Sequence, residues 1–199
     1  MATNWRKKNT SPFGHSATAQ SLFQLMAPVM DSPLRRKFFD PVKTLKVAGV
    51  QLGQEILEVG CGTGFFTIHA AELVGHEGHV YAIDPHPLAI EQVSSKMRDA
   101  GLSNIGLIKA NALESGLASD CIDLVLLFGV VPSPTLLLDR LLPEMSRLLK
   151  PNGVLAVWTA LPWWSPISLS RGGLFVYVGK ENSVHSFRQG RLGPAHRRL

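Results

Sequence analysis

One short segment of the sequence alternates three glycines with other residues, directly after an apolar run. Gly60, Gly62 and Gly64 follow residues 55–59, and an apolar segment with helical spacing comes next. Glycine lets a backbone adopt positive φ and approach a ligand closely. In open α/β sheets, ligands bind outside the carboxyl ends of the strands. The sequence therefore predicts a ligand site in this loop, between a strand and a helix.

The spacing of the glycines separates this loop from two phosphate-binding loops. Dinucleotide folds use GxGxxG, in which the third glycine lets the helix pack beside a pyrophosphate. Here the third glycine comes one residue early, and Phe65 and Phe66 follow it. Large aromatic residues do not suit a pyrophosphate at a helix N-terminus. No Gly-Lys-Ser/Thr sequence follows either, so the P-loop of proteins that bind nucleoside triphosphates is also excluded.

A carboxylate marks the end of the second apolar run. Asp84 lies twenty residues beyond Gly64. A carboxylate at this place can accept hydrogen bonds from both hydroxyls of a ribose. The alternative is that Asp84 caps the helix that follows. We favour ribose binding, because the glycine loop points to the same end of the sheet.

A side-chain amide follows the third apolar run. Asn111 can hydrogen-bond the edge of an adenine. An asparagine in a loop is commonly a turn residue, so this signal is weak by itself. Together with the loop and the aspartate, it predicts that three successive strand ends converge on one nucleoside.

The elements that position these residues alternate along the chain. Nearly continuous apolar strands separated by helices predict a doubly wound α/β fold, with a mainly parallel sheet buried on both faces. We expect residues 150–153 to end the last helix, and a C-terminal β-hairpin to turn near Asn182. Strands are predicted at residues 55–59, 78–83, 105–108, 122–128, 154–159, 174–178 and 184–187, and helices at 65–74, 87–100 and 135–149.

Taken together, residues 58–67, 80–87 and 148–153 resemble the class I S-adenosylmethionine-dependent methyltransferases. The branch similar to ubiquinone- and menaquinone-biosynthesis methyltransferases is the nearest, and the resemblance covers about residues 40–160. It implies a Rossmann-like fold and S-adenosylmethionine as cofactor, with S-adenosylhomocysteine as product. The family usually has Asp where Asn111 stands, which alters the expected adenine contact.

The resemblance also implies the residues of the site. The glycine loop would wrap the amino-acid part of the cofactor, Asp84 would bind the ribose, and Phe128 with Gly129 would lie beside the methionine part and the acceptor. The implied cofactor-binding residues are Glu58, Gly60, Cys61, Gly62, Gly64, Asp84, Pro85, Asn111, Ala112 and Phe128.

The reaction expected from this resemblance is in-line methyl transfer to a small, apolar molecule. A sulfonium activates its methyl group without help, so the protein mainly aligns the reactants. We assign no catalytic base, and interpret His15, His86 and His185 as surface residues. Trp163 and Trp164 either line an acceptor pocket or cap the core.

Two other functions stay open. One is methylation of nucleic acid or protein, which basic chain ends favour: residues 1–50 carry eight Lys/Arg against two Asp/Glu, and residues 171–199 carry six against one. Such ends are equally compatible with solvated surface charge. The other is a non-catalytic scaffold that retains the fold, since the chain has only residues 162–173 where the family has a longer segment that shapes the acceptor pocket.

Length and composition indicate one globular domain of 199 residues. We predict a helical lid or extension at residues 1–48, whose apolar residues Phe13, Leu22, Phe23 and Met26 would help it to exclude water. The cofactor-binding domain would span residues 49–190, and a basic tail residues 191–199.

The remaining expectations concern partners and location. Two cysteines without a CxxC pair indicate no metal site and a reducing compartment. Prolines and Gly153 interrupt the longest uncharged run, at residues 151–170, so we expect no transmembrane segment. We expect a cytoplasmic protein, with an organellar location as the alternative because no acid precedes Asp31. The sequence leaves the oligomeric state open.

Overall fold

The computed structural model of the protein describes residues 39–132, 137–159 and 164–190. Within these residues, helices and strands alternate as far as the fifth strand, and a hairpin then follows. Two short 3-10 helices, Ala112–Glu114 and Pro166–Ser170, lie in the connections. The elements are α1 (Pro41–Ala48), β1 (Glu55–Val59), α2 (Thr67–Val74), β2 (His79–Ile83), α3 (Pro87–Asp99), β3 (Ile105–Ile108), β4 (Ile122–Phe128), α4 (Leu138–Leu148), β5 (Leu149–Trp158), β6 (Phe175–Glu181) and β7 (Val184–Gln189).

All seven strands form one sheet, in the order β3-β2-β1-β4-β5-β7-β6. The first five of these pair in parallel, whereas β7 is antiparallel to both β5 and β6. The predicted doubly wound fold with a C-terminal hairpin is confirmed. Because the chain runs outward from β1 to β3 and then returns to β4, the order reverses between β1 and β4. Ligands bind at such a reversal, outside the carboxyl ends of the strands.

Apolar side chains of the sheet form a core on each of its faces. Alternate residues of β4 divide between them: Leu124 and Leu126 join the core under α1, α2 and α3, and Val125 and Leu127 join the core under α4. This division follows from the two-residue repeat of a strand. Helices on both faces explain why β4 is apolar almost throughout.

Helix α1 has recognisable start and stop signals. The side chain of Asp40 accepts a hydrogen bond from the backbone N–H of Lys43 at 3.0 Å, and Pro41 occupies the first turn. Gly49, at φ 94°, ends the helix in the left-handed conformation. The helix packs against α2 and β7. The lid proposed for residues 1–48 otherwise concerns Phe13, Leu22, Phe23 and Met26, which lie outside the described residues.

The predicted end of the last helix is confirmed, because α4 ends at Leu148, but the predicted start of the fifth strand is wrong. The strand was expected from residue 154, whereas residues 149–153 are the first half of β5. Leu149 pairs with Ile122, and the register then shifts before Leu124 pairs with Val154. Asn152 lies within this irregular stretch and has a φ of 70°, a conformation that asparagine tolerates better than most residues. Pairing with β4 therefore starts at Leu149, and the turn-prone residues 150–153 lie in the irregular stretch before Val154.

The hairpin turns more tightly than predicted. Strand β6 continues through Glu181, so Asn182 and Ser183 alone form the turn, at φ 43° and 67°. Two positive φ values suit the right-handed twist of a two-residue hairpin. Trp164 packs against the core beneath α4, whereas Trp163 and the predicted tail at 191–199 lie outside the described residues. Within the described part of the chain, no helix has the length and apolar character needed to cross a membrane.

Candidate functional site

The glycine loop adopts a backbone that other residues would strain. Gly60, Gly62 and Gly64 have φ values of 73°, 53° and 80°. A Cβ on Gly60 would overlap Cγ1 of Val130, and a Cβ on Gly64 would lie 3.0 Å from Cγ2 of Val93. The three glycines are therefore required by conformation, and two of them also by close packing.

Hydrogen bonds tie this loop to the end of β2. The backbone N–H groups of Gly60 and Cys61 donate to the carbonyl of Ile83, at 2.8 and 3.3 Å. The N–H of Gly62 donates to Oδ2 of Asp84 at 3.1 Å. Two of the three predicted strand ends thus meet directly, as the sequence predicted.

Asp84 is braced by backbone groups on both of its oxygens. Its Oδ1 accepts the N–H of His86 at 2.8 Å. Burial raises the pKa of Asp84, and the N–H groups of His86 and Gly62 oppose that rise. Asp84 does not cap α3, because the cap position is His86.

The histidines differ from the sequence interpretation. His86 and His185 are both buried, so reading them as surface residues is wrong. His86 is buried because its backbone is held against Asp84 at the start of α3. His185 is buried within the hairpin, where its ring approaches the hydroxyl of Tyr177 at 3.4 Å. His15 lies outside the described residues.

A second carboxyl group lies at the end of β1. Glu58 is 2 % exposed, and its Oε2 accepts the hydroxyl of Thr67 at 2.5 Å. Burial raises the pKa of Glu58 to about 8; Thr67 opposes this rise, and the charge of Asp84 adds to it. Burial also raises the pKa of the Cys61 thiol, with smaller contributions from the two acids. Cys61 is thus an inert apolar side chain of the loop.

The end of β3 supplies the third part of the site. The backbone N–H of Asp84 donates to the carbonyl of Ile108, the last residue of β3. Asn111 follows Ile108 by three positions. Oδ1 of Asn111 accepts the N–H of Leu113 at 3.0 Å and caps a 3-10 helix. Asn111 therefore acts as a turn residue, and its predicted adenine contact depends on its amide nitrogen. Ala112 is buried in the turn, and Pro85 is exposed beside Asp84.

Aromatic rings gather at the ends of β4 and β5. Phe128 pairs with Trp158 across the two strands, and the ring of Phe66 lies 4.9 Å from that of Phe128. The ring of Phe39, just before α1, lies 4.6 Å from that of Trp158 and is tilted by 52° against it. The N–H of Gly129 donates to the carbonyl of Trp158, so the pairing of the two chain segments extends one residue beyond the end of β4. These rings form an aromatic flank beside the site, in which Phe66 and Phe128 are buried and Trp158 is half-buried.

Three further residues of the site could not be singled out in the sequence. Val130 packs on Gly60, Thr67 binds Glu58, and Lys96 donates to the carbonyl of Thr63 at 2.7 Å. In the sequence, Lys96 is an ordinary polar residue of an amphipathic helix. Its spacing of three residues from Val93, which packs on Gly64, places both side chains on the same face of the helix.

The polarity of the site selects against phosphate. Phosphate-binding loops direct backbone N–H groups at the anion. Here the N–H groups of Gly60, Cys61, Gly62 and Gly64 are all used within the protein. The buried carboxyl groups of Glu58 and Asp84 lie close by, and among the described residues neither forms a salt bridge with a lysine or an arginine. Such a site favours a ligand with hydroxyl donors near Asp84 over one with phosphate groups at the loop.

No metal centre is formed by the described residues. Among residues 39–132, 137–159 and 164–190, no three His, Cys, Asp or Glu side chains come together in a way that could hold a metal ion.

Comparisons with known proteins agree with this geometry. The family described as a methyltransferase domain matches residues 51–162, which include β1 to β5. A demethylmenaquinone methyltransferase of Listeria welshimeri is 37% identical over 115 residues, which are 57% of this chain and 48% of that protein. The enzyme of the same name from Bacillus velezensis is 32% identical over 142 residues, 70% of this chain and 59% of that protein. The chain thus spans about half the length of these curated relatives.

Solved structures show the same fold. The crystal structure of an S-adenosylmethionine-dependent methyltransferase from Aquifex aeolicus aligns with a TM-score of 0.68 at 24% identity. The alignment covers 84% of this chain and 97% of the other. The resemblance predicted from the glycine loop and the strand-ending aspartate is confirmed, and with it the expected cofactor of the family.

Proposed function

Because the chain belongs to the methyltransferase-domain family, we propose that it transfers the methyl group of S-adenosylmethionine to a small, apolar acceptor. Residues at the carboxyl ends of β1, β2 and β3 would hold the cofactor, and residues at the ends of β4 and β5 would face the acceptor. The cofactor supplies an electrophilic methyl group, so the residues of this chain need only bind and orient the reactants.

The observation that carries this proposal is the hydrogen bond between Gly62 and Asp84. It places the glycine loop and an acidic side chain side by side, so that one ligand can touch both. Asp84 retains lone pairs for two ribose hydroxyls after accepting two backbone bonds, because a carboxylate accepts about four. The loop, beside Glu58, would take the amino-acid part.

We propose the remaining contacts on the basis of the resemblance and of proximity. Pro85, Asn111 and Ala112 would lie along the adenine, since they follow β2 and β3 at the edge where Asp84 stands. Cys61, Gly60 and Gly64 would wrap the amino-acid part with Gly62. These assignments are supported by the shared strand ends, which Asp84 and Ile108 link through the backbone.

An apolar acceptor is supported by the aromatic flank of the site. Trp158 belongs to it and is only half-buried, and a carbon-rich molecule would gain more from contact with this ring than a charged one. The relatives named demethylmenaquinone methyltransferase point the same way. Water exclusion by these rings would also favour the acceptor over water as the nucleophile.

Transfer of a labelled methyl group tests the proposal. The purified protein is incubated with methyl-labelled S-adenosylmethionine and, separately, a bacterial lipid extract, total RNA, DNA and a protein fraction. We expect label in organic-soluble product from the lipid extract. Label in RNA, DNA or protein would favour the macromolecular alternative. Intact S-adenosylhomocysteine binding without transfer to any fraction would favour a scaffold.

A further inference from the structure

Lys96 reaches from the third turn of α3 to the glycine loop. Its Nζ donates a hydrogen bond of 2.7 Å to the backbone carbonyl of Thr63, and Thr63 is completely buried. A hydrogen bond from a charged donor is stronger than one between neutral groups, and partial burial protects it from competition by water.

This bond holds one peptide unit of the loop at its oxygen. The same unit, between Thr63 and Gly64, is held at its nitrogen, because the N–H of Gly64 donates to the carbonyl of Cys61 at 2.9 Å. Glycines flank Thr63 on both sides, and a glycine-rich segment loses much conformational freedom when it is ordered. Hydrogen bonds at both ends of this peptide unit therefore restrict the backbone where the flanking glycines would otherwise allow it the most conformational freedom.

Helix α3 and the residue that follows β2 contact the loop at three successive points. Asp84, just before the helix, accepts the N–H of Gly62. Val93 lies against Gly64, where a Cβ would come within 3.0 Å of Val93 Cγ2. Lys96 follows one turn later and bonds Thr63. The helix thus braces the loop along most of its length.

We propose that Lys96 is a positioning residue for the amino-acid part of the cofactor. By holding the Thr63–Gly64 peptide, it keeps the loop in its binding conformation before the ligand arrives. Preorganisation of this kind improves affinity because less freedom is lost on binding. The identity of the ligand rests on the proposed function, whereas the restraint on the loop does not.

The first test compares two ligands that differ in the part the loop would hold. Calorimetry measures the affinities of S-adenosylhomocysteine and of adenosine, which lacks the amino-acid part. We expect Lys96→Met to weaken S-adenosylhomocysteine about tenfold or more, the effect of losing one charged hydrogen bond, and adenosine less than about twofold. Lys96→Arg, which keeps a charged donor, should recover most of the affinity.

The matched control is Arg98→Met. Arg98 is an exposed cation on the same helix, and its Nη1 bonds Ser94 within that helix. This variant removes the same charge and should leave both affinities unchanged. Equal losses for the two ligands in Lys96→Met, or no loss for either, would overturn the positioning role.

The second test needs no ligand. Amide hydrogen exchange measured by NMR reports the opening of the loop at Gly62 and Gly64. Lys96→Met should speed exchange at these two amides about tenfold, while the amides of β1 and β2 keep their rates. Unchanged exchange at Gly62 and Gly64 would overturn the proposal. Failure of the wild-type protein to bind S-adenosylhomocysteine would contradict the proposed function instead.

Discussion

The backbone N–H of Gly62 donates a hydrogen bond to Oδ2 of Asp84 at 3.1 Å. The two residues are 22 positions apart in the chain: Asp84 directly follows β2, and Gly62 is the third residue beyond the end of β1. The bond makes the loop and the acid a single unit. It also gives Asp84 two tasks, bracing the loop and presenting its remaining lone pairs to a ligand.

Replacement of Asp84 tests the second task. We expect Asp84→Ala to weaken S-adenosylhomocysteine binding at least about tenfold, because it removes charged acceptors for two hydroxyls. Calorimetry of the variant beside wild type measures the change. Asp99→Ala, at the exposed end of α3, is the control and should bind normally. Unaltered affinity in Asp84→Ala would refute the ribose assignment.

Gly60 provides a test of the loop's packing. Gly60→Ala places a methyl group on Cγ1 of Val130 and forces alanine into a left-handed conformation. We expect the free energy of unfolding to fall by about 2–4 kcal/mol, from overpacking and strained φ together. Denaturant unfolding measures this value.

A double variant separates the two causes. In Gly60→Ala with Val130→Ala, the overlap disappears but the strain at φ 73° stays. The double variant should therefore be more stable than the sum of the single effects predicts. Strict additivity would show that Val130 does not limit the space at Gly60.

Glu58 should make stability depend on pH. Burial raises its pKa from 4.5 to about 8, so the folded protein holds this proton more tightly than the unfolded chain does. Unfolding then releases a proton between those values, and the free energy of unfolding should fall as pH rises from about 5 to 8. Asp84, whose pKa is also raised, contributes with the same sign.

The variant Glu58→Gln isolates this contribution. Glutamine cannot titrate, yet its oxygen can still accept the hydroxyl of Thr67. Urea unfolding at pH 5, 6.5 and 8 should show a flatter profile, with a difference from wild type on the order of a few kcal/mol over that range. Glu91→Gln, exposed on α3, serves as the control. Parallel profiles for Glu58→Gln and wild type would show that Glu58 is not held protonated.

The sequence predicted the parts of the site that depend on strand ends. Strands β1, β3 and β4 begin and end where their apolar runs do, because strands buried on both faces are apolar throughout. The positions of Gly62 and Asp84 followed from those ends. The adenine side was less predictable, since Asn111 suits both a ligand contact and the cap that it forms here.

Other parts of the site depend on contacts between distant segments. The bond from Lys96 to Thr63 spans 33 positions, and no local pattern marks either residue. Val130 is important only because β4 brings it over Gly60. The early start of β5 at Leu149 depends likewise on a distant contact, because Leu149 pairs with Ile122 of β4 before the register shifts to Val154.

The central claim is that this loop accepts a nucleoside with a charged amino-acid tail and rejects a polyphosphate. Calorimetric titration of the wild-type protein with S-adenosylhomocysteine, NAD⁺ and ATP tests it most directly. We predict that S-adenosylhomocysteine binds, whereas NAD⁺ and ATP do not, because four loop N–H groups are engaged internally and the carboxyl group of Asp84 lies against the loop. Binding of NAD⁺ or ATP, or failure of S-adenosylhomocysteine to bind, would contradict the account.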